Sequence, residues 1–307
     1  MSQTKKTNII KNETVIAKPF VKWAGGKRHL LKKLEALLPP NFDDFQNVTY
    51  IEPFVGGGAM LFHMLHHHKC INRAIINDIN PVLIRCYQLI AQKPQILIER
   101  LSDIEKDYYF ADELTRKHLY YAYRDQYNSK GINLDERAAL FFFLNHTCFN
   151  GLYRENASGD FNVPFGYYKK PTICKKDVIL SAHNVLSKIE IFCGDYKKVL
   201  SHIGKGCNFI YLDPPYRPLL GSTNFKEYSK SGFGDKEQVE LKTICDKLTL
   251  NNCHIMMSNS DSTNDDGTSF FEQLYKGYTI DKILAPRFIN AYAEKREKQS
   301  EIIIRNY

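Results

Sequence analysis

The chain has 307 residues, of which 43% are hydrophobic, 13% aromatic and 25% charged. Those values exclude a chain that is mainly disordered, and no apolar run reaches the roughly 18 residues that a membrane helix requires. No membrane association is therefore expected, and because the start, Met-Ser-Gln-Thr-Lys-Lys, carries no apolar signal stretch, a cytoplasmic location is. The net charge of +8 is concentrated: residues 1–35 hold nine Lys and Arg against two Glu, an excess that favours a polyanionic partner. Eight cysteines are scattered without a Cys-x-x-Cys pair and read as reduced thiols.

In chain order, Arg28 to Leu38 has helical spacing and stops at Pro39-Pro40. Val48 to Ile51 and Ala74 to Ile76 are short apolar runs expected as buried strands, and Asn80-Pro81 opens a helix with a cap residue before a first-turn proline. Leu101 to Tyr127 and Leu134 to Asn145 read as helices, Phe141-Phe142-Phe143 as helix core, and the stretch up to Pro171, rich in Asn, Gly and aromatics, as hairpin-like turns. Ile189 to Phe192, Phe209 to Leu212, His254 to Met257 and Ile302 to Ile304 are again strand-like. Strand and helix alternate at both ends but not in the middle. The expected organisation is an α/β domain split into residues 1–95 and 189–307, interrupted by an insertion over 96–188.

Tyr50-Ile-Glu-Pro-Phe-Val-Gly-Gly-Gly-Ala-Met-Leu61 sets a glycine-rich turn between a strand and a helix. A tight turn alone would account for the glycines. The dinucleotide fingerprint is not met, because its third glycine would fall at Leu61, and Glu52 would face a pyrophosphate as a like charge. Asp78, twenty residues beyond Gly58 at the end of the next strand, is placed to accept from a ribose diol. Adenosine recognition without phosphate recognition fits S-adenosyl-L-methionine, whose ammonium suits carboxylates.

Asp213-Pro214-Pro215-Tyr216 follows the strand Phe209 to Leu212, at the end where open α/β sheets bind ligands. Two prolines stiffen the chain and offer carbonyls without amide donors. The Asp213 carboxylate and a proline carbonyl can each take one N–H of an exocyclic amine and aim its lone pair at a methyl group, while Tyr216 stacks on the ring. Positive charge growing on the nitrogen would be stabilised by Asp213, with no metal and no covalent nucleophile.

With these motifs, Lys22-Trp23-Ala24-Gly25-Gly26-Lys27 and Asn77-Asp78-Ile79-Asn80, the sequence resembles the Dam-like DNA adenine-N6 methyltransferases from about residue 18 to the C-terminus. The resemblance implies a Rossmann-like methyltransferase sheet with an inserted, mainly helical target-recognition domain carrying a β-hairpin. It implies S-adenosyl-L-methionine as cofactor, held by Trp23, Lys27, Glu52, Phe54, Gly56, Asp78, Asp195 and Asp213. From charge pattern alone Lys27, next to Arg28, would be a solvated face.

Leu144 to Asn156 and Gly159 to Gly166 look like the family's recognition hairpin. On that resemblance Arg154 reads guanine O6 and N7, Asn150 contacts base edges or backbone, Phe149 wedges into the duplex where the target base leaves, and Pro164 and Tyr168 are further recognition positions. The implied reaction is direct methyl transfer to a flipped-out adenine N6 in double-stranded DNA, with GATC as the site, catalysed by Asp213, Pro214, Pro215 and Tyr216. A restriction endonuclease is an implied functional partner. Departures are His146, where relatives often carry Arg, and the acidic Glu155 beside Arg154. Arg287 to Asn290 with Lys295, Arg296 and Lys298 resembles a further signature that could meet phosphates. Cytosine-N4 methylation uses the same amine chemistry, protein-glutamine methylation usually replaces the Asp by Asn, and a silent DNA-binding regulator would keep the fold. His63, His66, His67 and His68 share a helix but form no recognisable metal-ligand pattern, so no metal is expected.

Overall fold

A computed structural model describes residues 16–23, 25–204, 206–219, 233–285 and 299–307. The C-terminal basic signature, Arg287 to Lys298, lies outside them. A short helix α1 (Leu31–Glu35) precedes β1 (Val48–Glu52), α2 (Ala59–His67), β2 (Ile71–Asp78) and α3 (Pro81–Gln92). Then come α4 (Pro94–Phe110), α5 (Glu113–Asn128), α6 (Leu134–Thr147) and α7 (Lys176–Leu186). The chain returns to the sheet with β3 (Glu190–Cys193), α8 (Tyr196–Leu200), β4 (Asn208–Leu212), α9 (Asp235–Leu250), β5 (Cys253–Ser260), α10 (Phe270–Leu274), β6 (Thr279–Ala285) and β7 (Gln299–Arg305).

The seven strands lie in the order β3-β2-β1-β4-β5-β7-β6. The first five are parallel, and β7 runs antiparallel between β5 and β6. The order reverses between β1 and β4, which opens a crevice at their carboxyl ends. All five residues of β4 are buried, as a strand covered on both faces must be. Its alternate residues enter different cores: Phe209 and Tyr211 pack on one face with Tyr50 and Ile76, Ile210 and Leu212 on the other with Ile51 and Ile75.

The Asn80-Pro81 start is as expected, with the Asn80 side chain accepting from the amides of Val82 and Leu83 at 3.0 and 2.9 Å. The helix expected over Leu101 to Tyr127 is instead two. Asp112 leaves helical geometry and caps α5 by accepting from the Thr115 amide at 2.8 Å. The edge strand β6 was not foreseen. Helix α6 is buried from Ala138 to Thr147; it is apolar on every side from Ala138 to Leu144, as an enclosed helix must be, and ends in the buried polar residues Asn145, His146 and Thr147. All eight cysteines are free. Among the described residues no helix is long and apolar enough to cross a membrane.

Candidate active site and nucleic-acid interface

Each of the four strands β3, β2, β1 and β4 delivers one carboxylate to the carboxyl edge of the sheet: Asp195 follows β3, Asp78 ends β2, Glu52 ends β1 and Asp213 follows β4. Three strand spacings make this row about 14 Å long. The loops between them are tied together. Asn77 Nδ2 donates to the Pro53 and Gly194 carbonyls at 3.0 and 2.9 Å, and Asp78 accepts from the amides of Gly56 and Asn80 at 3.0 Å each. Gly56 has φ +47° and lies under the Trp23 indole, 2.9 Å from where a β-carbon would stand. Only glycine permits that approach. Trp23 stacks on Tyr153 and Phe54 packs on Tyr196, with ring centroids 5.3 and 5.0 Å apart. Asp195 caps α8 by accepting from the Lys197 amide at 2.9 Å.

Desolvation sets the charge of this edge. Burial pushes the Glu52, Asp78 and Asp213 carboxyls up from their ordinary range. Glu52 accepts a 2.7 Å hydrogen bond from the Tyr50 hydroxyl, which works against that rise, while Asp213 and Asp78 add to it. For Asp213 the Lys27 ammonium opposes the rise and Glu301 reinforces it. A row of carboxylates in which Glu52 is buried, Asp78 and Asp213 are partly buried and Asp195 is exposed suits a cationic, phosphate-free ligand.

Lys27 is not a solvated side chain, as its neighbours Arg28 and His29 suggested. It is 5% exposed, with Nζ 3.1 Å from Asp213 Oδ1, 3.9 Å from Glu301 Oε2, 2.9 Å from the Gly25 carbonyl and 4.4 Å from the Tyr216 ring centre. The Tyr216 hydroxyl donates to Glu301 Oε2 at 2.9 Å. The Pro215 carbonyl is taken by Gln238 Nε2 at 3.1 Å, so not every proline carbonyl of the motif is open to a ligand.

Arg217, which the sequence did not single out, locks the loop from behind. Buried, it donates to both Asp235 oxygens at 2.9 and 3.2 Å and to the Thr263 carbonyl at 2.9 Å, and it lies over the Phe270 ring. Its amide donates to Asn259 Oδ1 and its carbonyl accepts from the Ser260 hydroxyl. Asn259 and Ser260, at the end of β5, thus brace the motif. Its adjacency to Tyr216 was the available signal for Arg217. For Glu301 the signal was a charged residue leading an apolar strand.

The hairpin expected over residues 144–166 consists of isolated bridges, Cys148 with Phe165 and Glu155 with Phe161. Side chains from the helices below hold it: the hydroxyls of Tyr108 and Tyr120 donate to the carbonyls of Tyr168 and Val163 at 2.7 Å each. Phe149 is half-exposed, its amide donating to the Pro164 carbonyl at 2.8 Å, and Asn150 takes φ 54°. Arg154 is exposed, its Nε donating across the turn to Asn162 Oδ1 at 2.7 Å. Glu155 pairs with the Tyr153 hydroxyl. His146 is buried, with Nδ1 donating to the Phe142 carbonyl at 2.7 Å. Burial and the nearby Lys175 push it down to about 4. It cannot replace an exposed Arg.

Asn145 joins the two regions. Its side chain exchanges two 2.8 Å hydrogen bonds with the Lys22 amide and carbonyl and donates to the Gly151 carbonyl at 3.2 Å. The Lys22 stem crosses Gly151 and its ammonium lies 5.4 Å over the Tyr168 ring. His63 of α2 and His68, which ends it in an extended conformation, pair with Glu35 at 2.6 and 3.1 Å, and His68 with Asp43 at 2.8 Å.

A doubly wound sheet with a row of carboxylates at its switch point defines an α/β enzyme that works at one edge of its sheet. Residues 23–287 match the family model described as D12 class N6 adenine-specific DNA methyltransferase. The chain is 40% identical over 293 residues to the Type II methyltransferase M.MjaIII of Methanocaldococcus jannaschii, covering 94% of this chain and 99% of that one. It is 36% identical to the Type II methyltransferase M1.LlaDCHI of Lactococcus lactis subsp. cremoris, covering 98% and 99%. It is 33% identical to the DNA adenine methylase of Haemophilus influenzae, covering 93% and 92%. The chain belongs to the D12 class of N6 adenine-specific DNA methyltransferases.

Proposed function

We propose that the chain transfers a methyl group from S-adenosylmethionine to adenine N6 at GATC in duplex DNA, acting on a base flipped out of the helix. The observation that carries this reading is Asp213, a desolvated carboxylate at the end of β4 with its charge shared by Lys27. The donor chemistry of the edge fits the cofactor: Glu52, Asp78 and Asp213 are carboxylates under a desolvation penalty, and a cationic ligand relieves it. When bound, S-adenosylmethionine supplies an electrophilic methyl on a sulfonium. Trp23, Phe54 and Gly56 shape its seat, Asp78 and Asp195 face its ribose and adenine end, and Glu52 its ammonium.

At the target, Asp213 and the Pro214 carbonyl each accept one N–H of the adenine amine, which turns its lone pair toward the methyl. Tyr216, steadied by Glu301, stacks on the base, and Pro215, pinned by Gln238, keeps the loop rigid. As the nitrogen becomes cationic, the Asp213 carboxylate stabilises it. Residues 96–188 act as the target-recognition domain inserted between catalytic segments 1–95 and 189–307. Phe149 fills the gap left by the base, Arg154 reads guanine, and Asn150, Pro164 and Tyr168 complete the contact. The Type II names of two relatives support a restriction endonuclease as functional partner.

The test is expression in a methylation-free host followed by nucleoside analysis and modified-base sequencing. N6-methyladenine confined to GATC is expected. Methylation at another site would refute the specificity, and N4-methylcytosine the reaction.

A further inference from the structure

We infer that Lys27 and the target amine share one position on Asp213, and that Glu301 is the second station to which the Lys27 ammonium moves when adenine takes that position. The inference rests on the proposed adenine-N6 reaction.

The group that Asp213 is to hold is a nitrogen with N–H donors, lying against the face of Tyr216. Lys27 Nζ meets that description, 3.1 Å from Asp213 Oδ1 and 4.4 Å from the Tyr216 ring centre. Target amine and ammonium therefore compete for one carboxylate. Displacing a buried ammonium with nowhere to go would leave an uncompensated charge, a heavy penalty in a desolvated site. Glu301 removes it. Its Oε2 is already 3.9 Å from Nζ, so a shift of about 1 Å brings the pair to normal ion-pair distance. The Gly25 carbonyl, 2.9 Å from Nζ, tethers the ammonium throughout.

The same Glu301 oxygen accepts the Tyr216 hydroxyl at 2.9 Å, so the stacking ring and the second station share one anchor. Main-chain pairing fixes that anchor: β7 sets Glu301 opposite Ser260 of β5 and Ile283 of β6. One ammonium between two carboxylates leaves the cluster with a single negative charge wherever Lys27 sits. Adenine thus gains Asp213 without any change in the net charge of the site.

The test uses the full chain, a GATC duplex in which the target adenine keeps its 6-amino group and 2-aminopurine replaces the adenine of the complementary strand as the reporter of unstacking, and the single-turnover rate. Glu301→Gln keeps an acceptor for Tyr216 but removes the charge that receives Lys27. It should lower the single-turnover rate at least tenfold and suppress the 2-aminopurine emission that reports base extrusion, with cofactor Kd within twofold of wild type. Adding Lys27→Met to Glu301→Gln should restore the emission, because the competitor is gone. A merely structural Glu301 would not be rescued in this way. Unchanged extrusion in Glu301→Gln, or a double variant no better than the single, overturns the inference. Should Glu301→Gln fail to fold, Glu301→Asp, which withdraws the carboxylate by one methylene, is expected to show a graded loss, and wild-type behaviour there overturns it equally. If the wild-type chain forms no N6-methyladenine, the parent reading has failed; if it does and the variants behave as wild type, only this inference has.

Discussion

Replacing Asn145 by Ala tests how the cofactor motif and the recognition hairpin are joined. The fully buried amide makes three hydrogen bonds, two at 2.8 Å with the Lys22 backbone and one at 3.2 Å with the Gly151 carbonyl. At about 1 kcal/mol net for each bond the loss is about 3 kcal/mol. The exposure of Lys22 lets water recover part of its two bonds, whereas the bond to Gly151 lies in the interior. A fall in stability of about 2–3 kcal/mol is expected, equivalent to about 3–5 °C in melting temperature for a chain of 307 residues. Denaturant unfolding measures it. Because Lys22 precedes Trp23 and crosses Gly151, next to Phe149 and Asn150, cofactor and DNA affinity should fall together. Asn145→Asp separates geometry from polarity: it keeps the acceptor for the Lys22 amide but sets a carboxylate against two carbonyls, so it should be the less stable variant at neutral pH and improve on acidification. A loss below about 0.5 kcal/mol, or loss of one affinity without the other, would refute the coupling.

Other outcomes follow from the same geometry. Asp213→Asn should lower the methylation rate constant about 10²–10³-fold with DNA affinity retained in fluorescence anisotropy. Arg154→Ala should relax discrimination at the guanine by about 1–3 kcal/mol, read as the ratio of kcat/KM on matched and substituted duplexes. Glu52 and Asp213 have raised proton affinities, chiefly through burial, so they hold protons above their ordinary values of 4.5 and 3.8. A cationic cofactor favours the ionised forms, so its affinity should strengthen as pH rises from those values through the raised ones, then level off. Proton release on binding, detected by calorimetry in buffers of different ionisation enthalpy, checks this. The same carboxyls make the folded state the stronger proton binder, so their contribution to stability should decline over that window as pH rises.

Much of the fold was legible because burial is written in local runs. Strand β4 is continuously apolar from Phe209 to Leu212 since both of its faces are covered, and Asn80-Pro81 carries its cap in its own side chain. Strand β6 escaped because it lies at the sheet edge, pairing with β7 on one side, and carries Asp281 and Lys282. The break at Asp112 escaped because the periodicity of α4 runs on into α5, and only the Thr115 amide reveals the cap.

In the site, Asp78 and Asp213 were legible from their places after strands, whereas Glu52 and Asp195 entered as cofactor residues only through the family resemblance. So did Lys27, since Arg28 beside it imitates a solvated face and its partners Asp213 and Glu301 come from the far side of the chain. The Tyr216–Glu301 bond spans 85 residues, and no local pattern encodes it. Similarly, His146 was noted only as a departure where relatives often carry Arg, and its burial comes from the packing of α6.

The most direct measurement is a crystal structure of the chain with a non-transferable cofactor analogue and a GATC duplex. Both N–H groups of the extruded adenine should lie within hydrogen-bond distance of the Asp213 carboxylate and the Pro214 carbonyl, with N6 facing the position of the transferable methyl. An adenine amine held by other groups, or a cofactor seated away from Asp213, would contradict the account.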